Sequence, residues 1–224
     1  MRIQHTDREQ VDMLKGWWKE SGQAIAIAVV VGLALGFGWK FYKSWQLKQK
    51  VAASSLYQQF SNGMLQDPTA ATAIATQLKT SYPKTAYATL ASMMLAKQAV
   101  DSDQYKDAST ELNWVIQHSH DKQLKQISRI RLARVMLQLK QPNQALSVLA
   151  TQDAKGYAML VNQERANSYL ALGNKNKARY YFARAKSNAN TLNLPNPVLQ
   201  MQLAQYPQVK LTNQTQPQQK TKRT

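Results

Sequence analysis

From Ser21 to Trp39 the chain reads SGQAIAIAVVVGLALGFGW, 19 residues without a charged side chain, set between Lys19-Glu20 and Lys40. Wound into a helix it is about 28 Å long, close to the hydrocarbon thickness of a bilayer. Eight of its residues are Ile, Val, Leu or Phe, each contributing roughly −0.3 to −0.6 kcal/mol to insertion at a helix centre. Trp17 and Trp18 precede the run, and Trp39, Tyr42 and Trp45 close or follow it, where amphipathic rings settle at the two headgroup levels. The expectation is a transmembrane helix over residues 21–42. A buried core helix fits less well, because no second segment is apolar enough to pack against it. A cleaved signal peptide also fits less well. Asp7, Glu9, Asp12 and Glu20 lie ahead of the run, and Gly36-x-Gly38 is a poor cleavage site. A retained signal anchor with a separate segment at 1–20 is expected. Residues 6–20 read as a short amphipathic helix with Val11, Leu14 and Trp18 on one stripe. Within the run, Ala28, Gly32 and Gly36 recur at the four-residue spacing that lets membrane helices pack closely.

Cysteine is absent, which excludes disulfides, zinc–thiolate sites and thiol nucleophiles. The formal net charge is +17, a balance that suits anionic lipid or nucleic acid as well as a generally basic chain. It leaves orientation open. Four basic residues lie on each side of the run: Arg2, Arg8, Lys15 and Lys19 before it, Lys40, Lys43, Lys48 and Lys50 after it. The denser cluster follows, which points the large domain inward if it points anywhere.

Beyond the run the chain reads as helical. No glycine occurs between Gly63 and Gly156, no proline between Pro83 and Pro142, and alternating strand-like runs are missing. Alanine and leucine recur at three- and four-residue spacing. Pro68, Pro83, Pro142, Pro195 and Pro197 mark the gaps. Helices are expected near 47–61, 68–80, 85–100, 104–118, 122–139, 142–151, 157–172, 175–188 and 196–205, with a first break at Asn62-Gly63 and Asp67-Pro68. Residues 207–224 are polar and basic and read as a disordered tail.

Self-comparison is more informative than any single motif. Ala166, Tyr169, Gly173, Ala178, Phe182 and Ala185 carry the small and aromatic residues of the tetratricopeptide pattern, a helix, a tight turn and an antiparallel helix. The frame repeats at Leu132, Ala133, Met136, Ala145 and Leu149, again at Leu95, Ala96, Ala99, Ala108 and Leu112, and weakly at Ala71, Leu78 and Pro83. Ala71, Ala108, Ala145 and Ala178 are 37, 37 and 33 residues apart. The fold class expected is all-α: one N-terminal transmembrane helix, then a tetratricopeptide-like helical-hairpin solenoid over 47–206. First helices of such a stack line a concave groove, which places Leu90, Met93, Lys97, Ile127, Ile130, Arg134, Leu137 and Asn167 on that surface. An apolar floor with scattered cations suits extended or partly folded polypeptide.

Chemistry is hard to find. No P-loop, dinucleotide-binding glycine pattern or nucleophile elbow is present. His118-x-His120 reads as a solvated helix end, with no carboxylate cluster to complete a metal site. Asp101, Asp103, Asp107 and Glu111 surround one turn, and Asp103 is placed to cap the helix that follows. Lys122, Lys125, Arg129, Arg131 and Arg134 read as a solvated basic face rather than a phosphate site. No catalytic residue, metal or cofactor is expected, and no nucleic acid.

Longer stretches carry a family resemblance: EQVDMLKGWWKESG at Glu9–Gly22, GWKFY at Gly38–Tyr42, YATLASMMLAKQAV at Tyr87–Val100, ELNWV at Glu111–Val115 and NPVLQMQL at Asn196–Leu203. With these the chain resembles the YfgM-like ancillary subunits of the SecYEG translocon. The resemblance implies a bacterial inner-membrane protein, single-pass, with a cytoplasmic N-terminus and a periplasmic tetratricopeptide-like domain. It implies partnership with SecYEG, with a PpiD-like periplasmic chaperone and with unfolded or nascent secretory polypeptides, and in some members a part in an envelope stress response. The chain departs from the family at Ala166-Asn167, where members often have Gly-Asp, and in a basic domain where many are acidic. Two other readings stay open from the residues: a cytoplasm-facing basic adaptor for anionic lipid or nucleic acid, and a cell-division coordinator sharing the repeat domain.

Overall fold

The structure, a computed structural model, describes residues 5–150, 155–191 and 197–205; ahead of Val30 it describes the side chains of Trp18 and Ile27 but not those around them. The chain divides into two units, Met1–Ser55 and Leu56–Thr224. The boundary falls inside α1 (His5–Gln66), a helix of 62 residues. Sequence reading placed breaks at Asn62-Gly63 and Asp67-Pro68 and, with no proline or glycine from Phe41 to Asn62, allowed the span to run on into the domain. One helix forms from His5 through Gly63 to Gln66, and the break comes at Asp67-Pro68. The first proline is Pro68, and isolated glycines cost a helix about 1 kcal/mol each without ending it. The expected span lies partly on side chains outside those described, at Ser21, Gln23 to Ala26, Ala28 and Val29. Among the described residues no helix is long and apolar enough to cross a membrane.

In the first unit the described apolar side chains of α1 lie open all round the helix. Val30, Val31, Leu33, Leu35, Phe37, Trp39, Phe41, Tyr42 and Trp45 are 51–76% exposed. Between Val30 and Trp45 no buried apolar stripe of the kind an amphipathic helix turns to a core is present. Trp39, Tyr42 and Trp45 form a tilted ladder with centroids 6.4 Å apart at each step, and Lys43 Nζ sits 5.3 Å from the Trp39 ring centre. A Cβ built on Gly32 or Gly36 would meet no atom within 4 Å.

The second unit takes in the end of α1 and eight further helices among the described residues: α2 (Pro68–Ser81), α3 (Ala86–Asp101), α4 (Tyr105–His118), α5 (Lys122–Gln138), α6 (Pro142–Val148), α7 (Ala158–Ala171), α8 (Lys175–Thr191) and α9 (Pro197–Ala204). Their starts are chemical. Asp67 Oδ1 accepts from the Thr69 and Ala70 amides at 3.1 and 3.0 Å, and Asp121 Oδ1 from those of Gln123 and Leu124 at 2.7 and 3.1 Å. Such a cap is worth about 1 kcal/mol. Pro68 and Pro142 occupy first turns, where the missing N–H has no partner to lose.

Three hairpin turns share one geometry. Asp103, Lys140 and Gly173 take the left-handed conformation with φ of 58, 60 and 74°. After each, the next amide bonds five residues back: Gln104 to Ala99 O, Gln141 to Met136 O and Asn174 to Tyr169 O, at 2.7–2.8 Å. Each left-handed residue also donates three residues back, to Val100, Leu137 and Leu170. These paired bonds are the Schellman ending, which satisfies the last carbonyls of a helix. Each left-handed residue lies five positions before a repeat alanine, Ala108, Ala145 or Ala178.

Those alanines, with Ala71, are fully buried. Their small side chains let neighbouring helices close up. Ala108 and Ala145 form one core with Leu112, Leu132, Ala133, Met136, Leu149, Ala96, Ala99, Val135 and Val161, while Ala178 belongs to another. Phe182, fully buried, centres a second cluster with Ala166, Ala185 and Leu199. Packing runs chiefly between helices adjacent in sequence, with α7 also reaching α5. The second unit is thus an all-helical, tetratricopeptide-like solenoid, with no strand among the described residues. The expected tail at 207–224 lies outside them.

Candidate functional site

α3 and α5 are first helices of consecutive hairpins. Between them, closed at one end by α4, lies a cleft of about 450 Å³ lined by Met93, Ala96, Lys97, Val100, Tyr105, Leu112, Arg131, Arg134, Val135 and Gln138. Met93, Lys97 and Val100 project together because they are four and three residues apart; Arg131, Arg134 and Gln138 do so at three and four. The walls are aliphatic. The polar atoms come from three cations, one phenol and one amide.

The three cations differ. Lys97 Nζ meets Asp101 at 2.5 Å, with both side chains more than half exposed, a pairing that contributes little in water. Arg134 is held from behind. Its Nε donates to Glu164 Oε1 at 2.6 Å, and Glu164 is almost wholly buried. Asn167 Nδ2 donates to Glu164 Oε2 at 3.0 Å. The chain Asn167–Glu164–Arg134 therefore runs from α7 to α5 and fixes one guanidinium at the cleft. Arg131 is exposed and bonds to none of the described residues. Tyr105 Oη donates to Asp103 Oδ1 at 2.6 Å. That bond first, then burial and the Asp103 charge, hold the Tyr105 pKa above its usual value. The phenol stays protonated, and its oxygen can still accept a hydrogen bond.

Of the eight residues expected on the groove, Met93, Lys97 and Arg134 line this cleft. Asn167 reaches it through Glu164. Ile130 is core, and Leu137 packs on that core. Leu90 and Ile127 are half-buried outside the lining. The basic stretch of α5 is not one face. Arg131 and Arg134 turn into the cleft, while Arg129 bonds Gln126 at 3.5 Å on another side. Asp103 does not cap α4, whose N-cap is Gln104 and makes no side-chain hydrogen bond; its carboxylate accepts from Tyr105 instead. His118 ends α4 exposed, stacked on Trp114 with centroids 4.6 Å apart and Nδ1 2.9 Å from the Trp114 carbonyl. No group of three or more metal-binding side chains occurs among the described residues. Sequence reading missed Glu164, because an acid in mid-helix reads as solvated until the partner helix is placed. The three-and-four spacing of Arg131, Arg134 and Gln138 was the available signal for the cleft.

The tetratricopeptide repeat-like domain profile matches residues 15–208. The chain is 33% identical over 183 residues to an ancillary SecYEG translocon subunit of Escherichia coli, covering 80% of this chain and 86% of that protein. It is 31% identical over 186 residues to the protein of the same name in Haemophilus influenzae, covering 83% and 91%. The chain belongs to the ancillary SecYEG translocon subunit family. A more distant relative of that name, in Neisseria gonorrhoeae, is 26% identical over 202 residues, covering 88% of this chain and 95% of its own. No solved structure matches. The cleft on α3 and α5 lies within the residues that the profile matches.

Proposed function

We propose that the chain is a membrane-anchored, non-enzymatic scaffold that works beside the SecYEG translocon and passes emerging polypeptides to periplasmic chaperones, a PpiD-like protein among them. Residues 21–42 cross the inner membrane once. Residues 1–20 are cytoplasmic, and the repeat domain over 47–206 and the tail at 207–224 are periplasmic. The observation that carries the anchor is the open apolar surface of α1 on all sides, ending in the Trp39–Tyr42–Trp45 ladder. The names of the relatives supply the neighbour. Tethering raises the local concentration of the repeat domain near chain leaving the pore. Ala28, Gly32 and Gly36 offer a face for a second membrane helix, and Trp17 and Trp18 mark the cytoplasmic headgroup level. The proposal extends to a part in an envelope stress response, which the resemblance implies for some members of the family.

A reporter that matures only in the periplasm, fused after Thr224, is active on this reading, and the full chain co-isolates with SecYEG from detergent-solubilised membranes. A stable but silent fusion overturns the topology; loss of SecYEG in mild detergent overturns the neighbour. A second reading rests on residues 119–205, which hold 13 basic and 3 acidic side chains: a cytoplasm-facing adaptor for anionic lipid. The silent fusion favours it.

A further inference from the structure

The reading of the repeat domain as a polypeptide binder leaves the chemistry of its target open, and the cleft on α3 and α5 narrows it. We infer that this cleft takes an extended polypeptide segment in which a large apolar side chain stands next to a carboxylate. The inference rests on the proposed function and sharpens it.

The floor and walls are Met93, Ala96, Val100, Leu112 and Val135, with Val100 38% exposed and the other four buried. At about 450 Å³ the space falls in the range of clefts that hold small ligands and side-chain groups. Such a surface rewards an aliphatic or aromatic side chain and penalises a charged one on the floor. The rim has the opposite character. Arg131 has no partner among the described residues. Arg134 spends only Nε on Glu164, so its terminal N–H donors remain for a ligand. No carboxylate lines the cleft. Two guanidiniums three residues apart on one helix therefore stand over an apolar floor, one pre-set by a buried carboxylate and one without a partner among the described residues. This is a fork for a carboxylate, the anion that guanidinium binds through two parallel bonds. Polypeptide is favoured over a simple aliphatic acid because the Tyr105 oxygen and the Gln138 amide add groups that a main chain can satisfy and an acyl chain cannot.

The test uses the full chain in detergent micelles and anisotropy of seven-residue peptides carrying an uncharged dye. One has Leu-Phe-Asp-Glu at its centre, a second Leu-Phe-Asn-Gln, a third Gly-Ala-Asp-Glu. The first is expected to bind at least tenfold tighter than either other peptide. Arg131→Gln, at an exposed position, is expected to weaken the first peptide three- to tenfold and leave the second unchanged. Val100→Asp is expected to abolish binding of the first. Melting curves establish that both variants are folded. Equal binding of the first two peptides, or undiminished binding to Arg131→Gln, overturns the carboxylate fork. Preferential binding of dodecanoate overturns the assignment to polypeptide. If the peptides fail while translocating chains still crosslink to the repeat domain in membranes, this inference falls and the proposed function stands. If crosslinking fails too, both fall.

Discussion

At the scale of single residues, the account rests on three side chains in unusual settings. Lys140 holds a left-handed conformation that Gly173 holds at the equivalent turn. A β-carbon there costs about 1–2 kcal/mol, partly offset by the extra freedom glycine gives the unfolded chain. Lys140→Gly is therefore expected to stabilise the repeat domain by about 0.5–1 kcal/mol, read from the urea midpoint at unchanged slope. Glu164 is the second. With Arg134 removed, its buried carboxylate keeps only Asn167, so Arg134→Ala is expected to cost about 1–3 kcal/mol. Glu164→Gln, which removes the charge, is expected to cost less than half of that by the same measurement. The third is Tyr105. Its folded-state pKa is raised above 10.0 by the bond to Asp103, so the stability this adds is complete below that value and fades as pH rises through the folded one. Native protein is expected to lose more stability than Tyr105→Phe as pH rises past 10.0. An equal loss in both proteins excludes the Asp103 bond as the cause.

At the scale of elements, the helices from α2 to α9 were legible to within about three residues, because prolines, capping acids and buried alanines are local signals. The repeat frame was legible for the same reason, and its alanines are all fully buried. Two features were not. The passage of α1 through Asn62-Gly63 was hidden because that pair has turn chemistry, yet nothing obliges a helix to use it; the break at Asp67-Pro68 was legible, because only Pro68 removes a donor. Glu164 and the two faces of α5 were hidden because they depend on how α5 meets α7, a distance of 30 residues along the chain. For α1 the proposed span yields its own prediction. Leu33→Lys with Leu35→Lys adds about 6–8 kcal/mol to insertion, and the double variant is expected to be released by alkaline carbonate while the native chain stays in the membrane pellet. Retention of the variant contradicts a span through these residues.

At the scale of the molecule, charge divides along the solenoid. Residues 56–118 hold four basic and five acidic side chains, residues 119–205 thirteen and three. The cleft lies where the two stretches meet, with its cations supplied mainly by α5. That placement favours anionic segments of a passing chain over basic ones, and it weakens with salt as exposed charges are screened within about 8–10 Å. The most direct test places a photoreactive residue at Val100, inside the cleft, and another at Lys186, exposed on α8, in full chains in native membranes during arrested translocation. Crosslinks from Val100 to the translocating polypeptide, several-fold stronger than from Lys186, are the expected result. Equal or absent crosslinking from the two positions, with SecYEG still bound, contradicts a scaffold that grips emerging chain through this cleft.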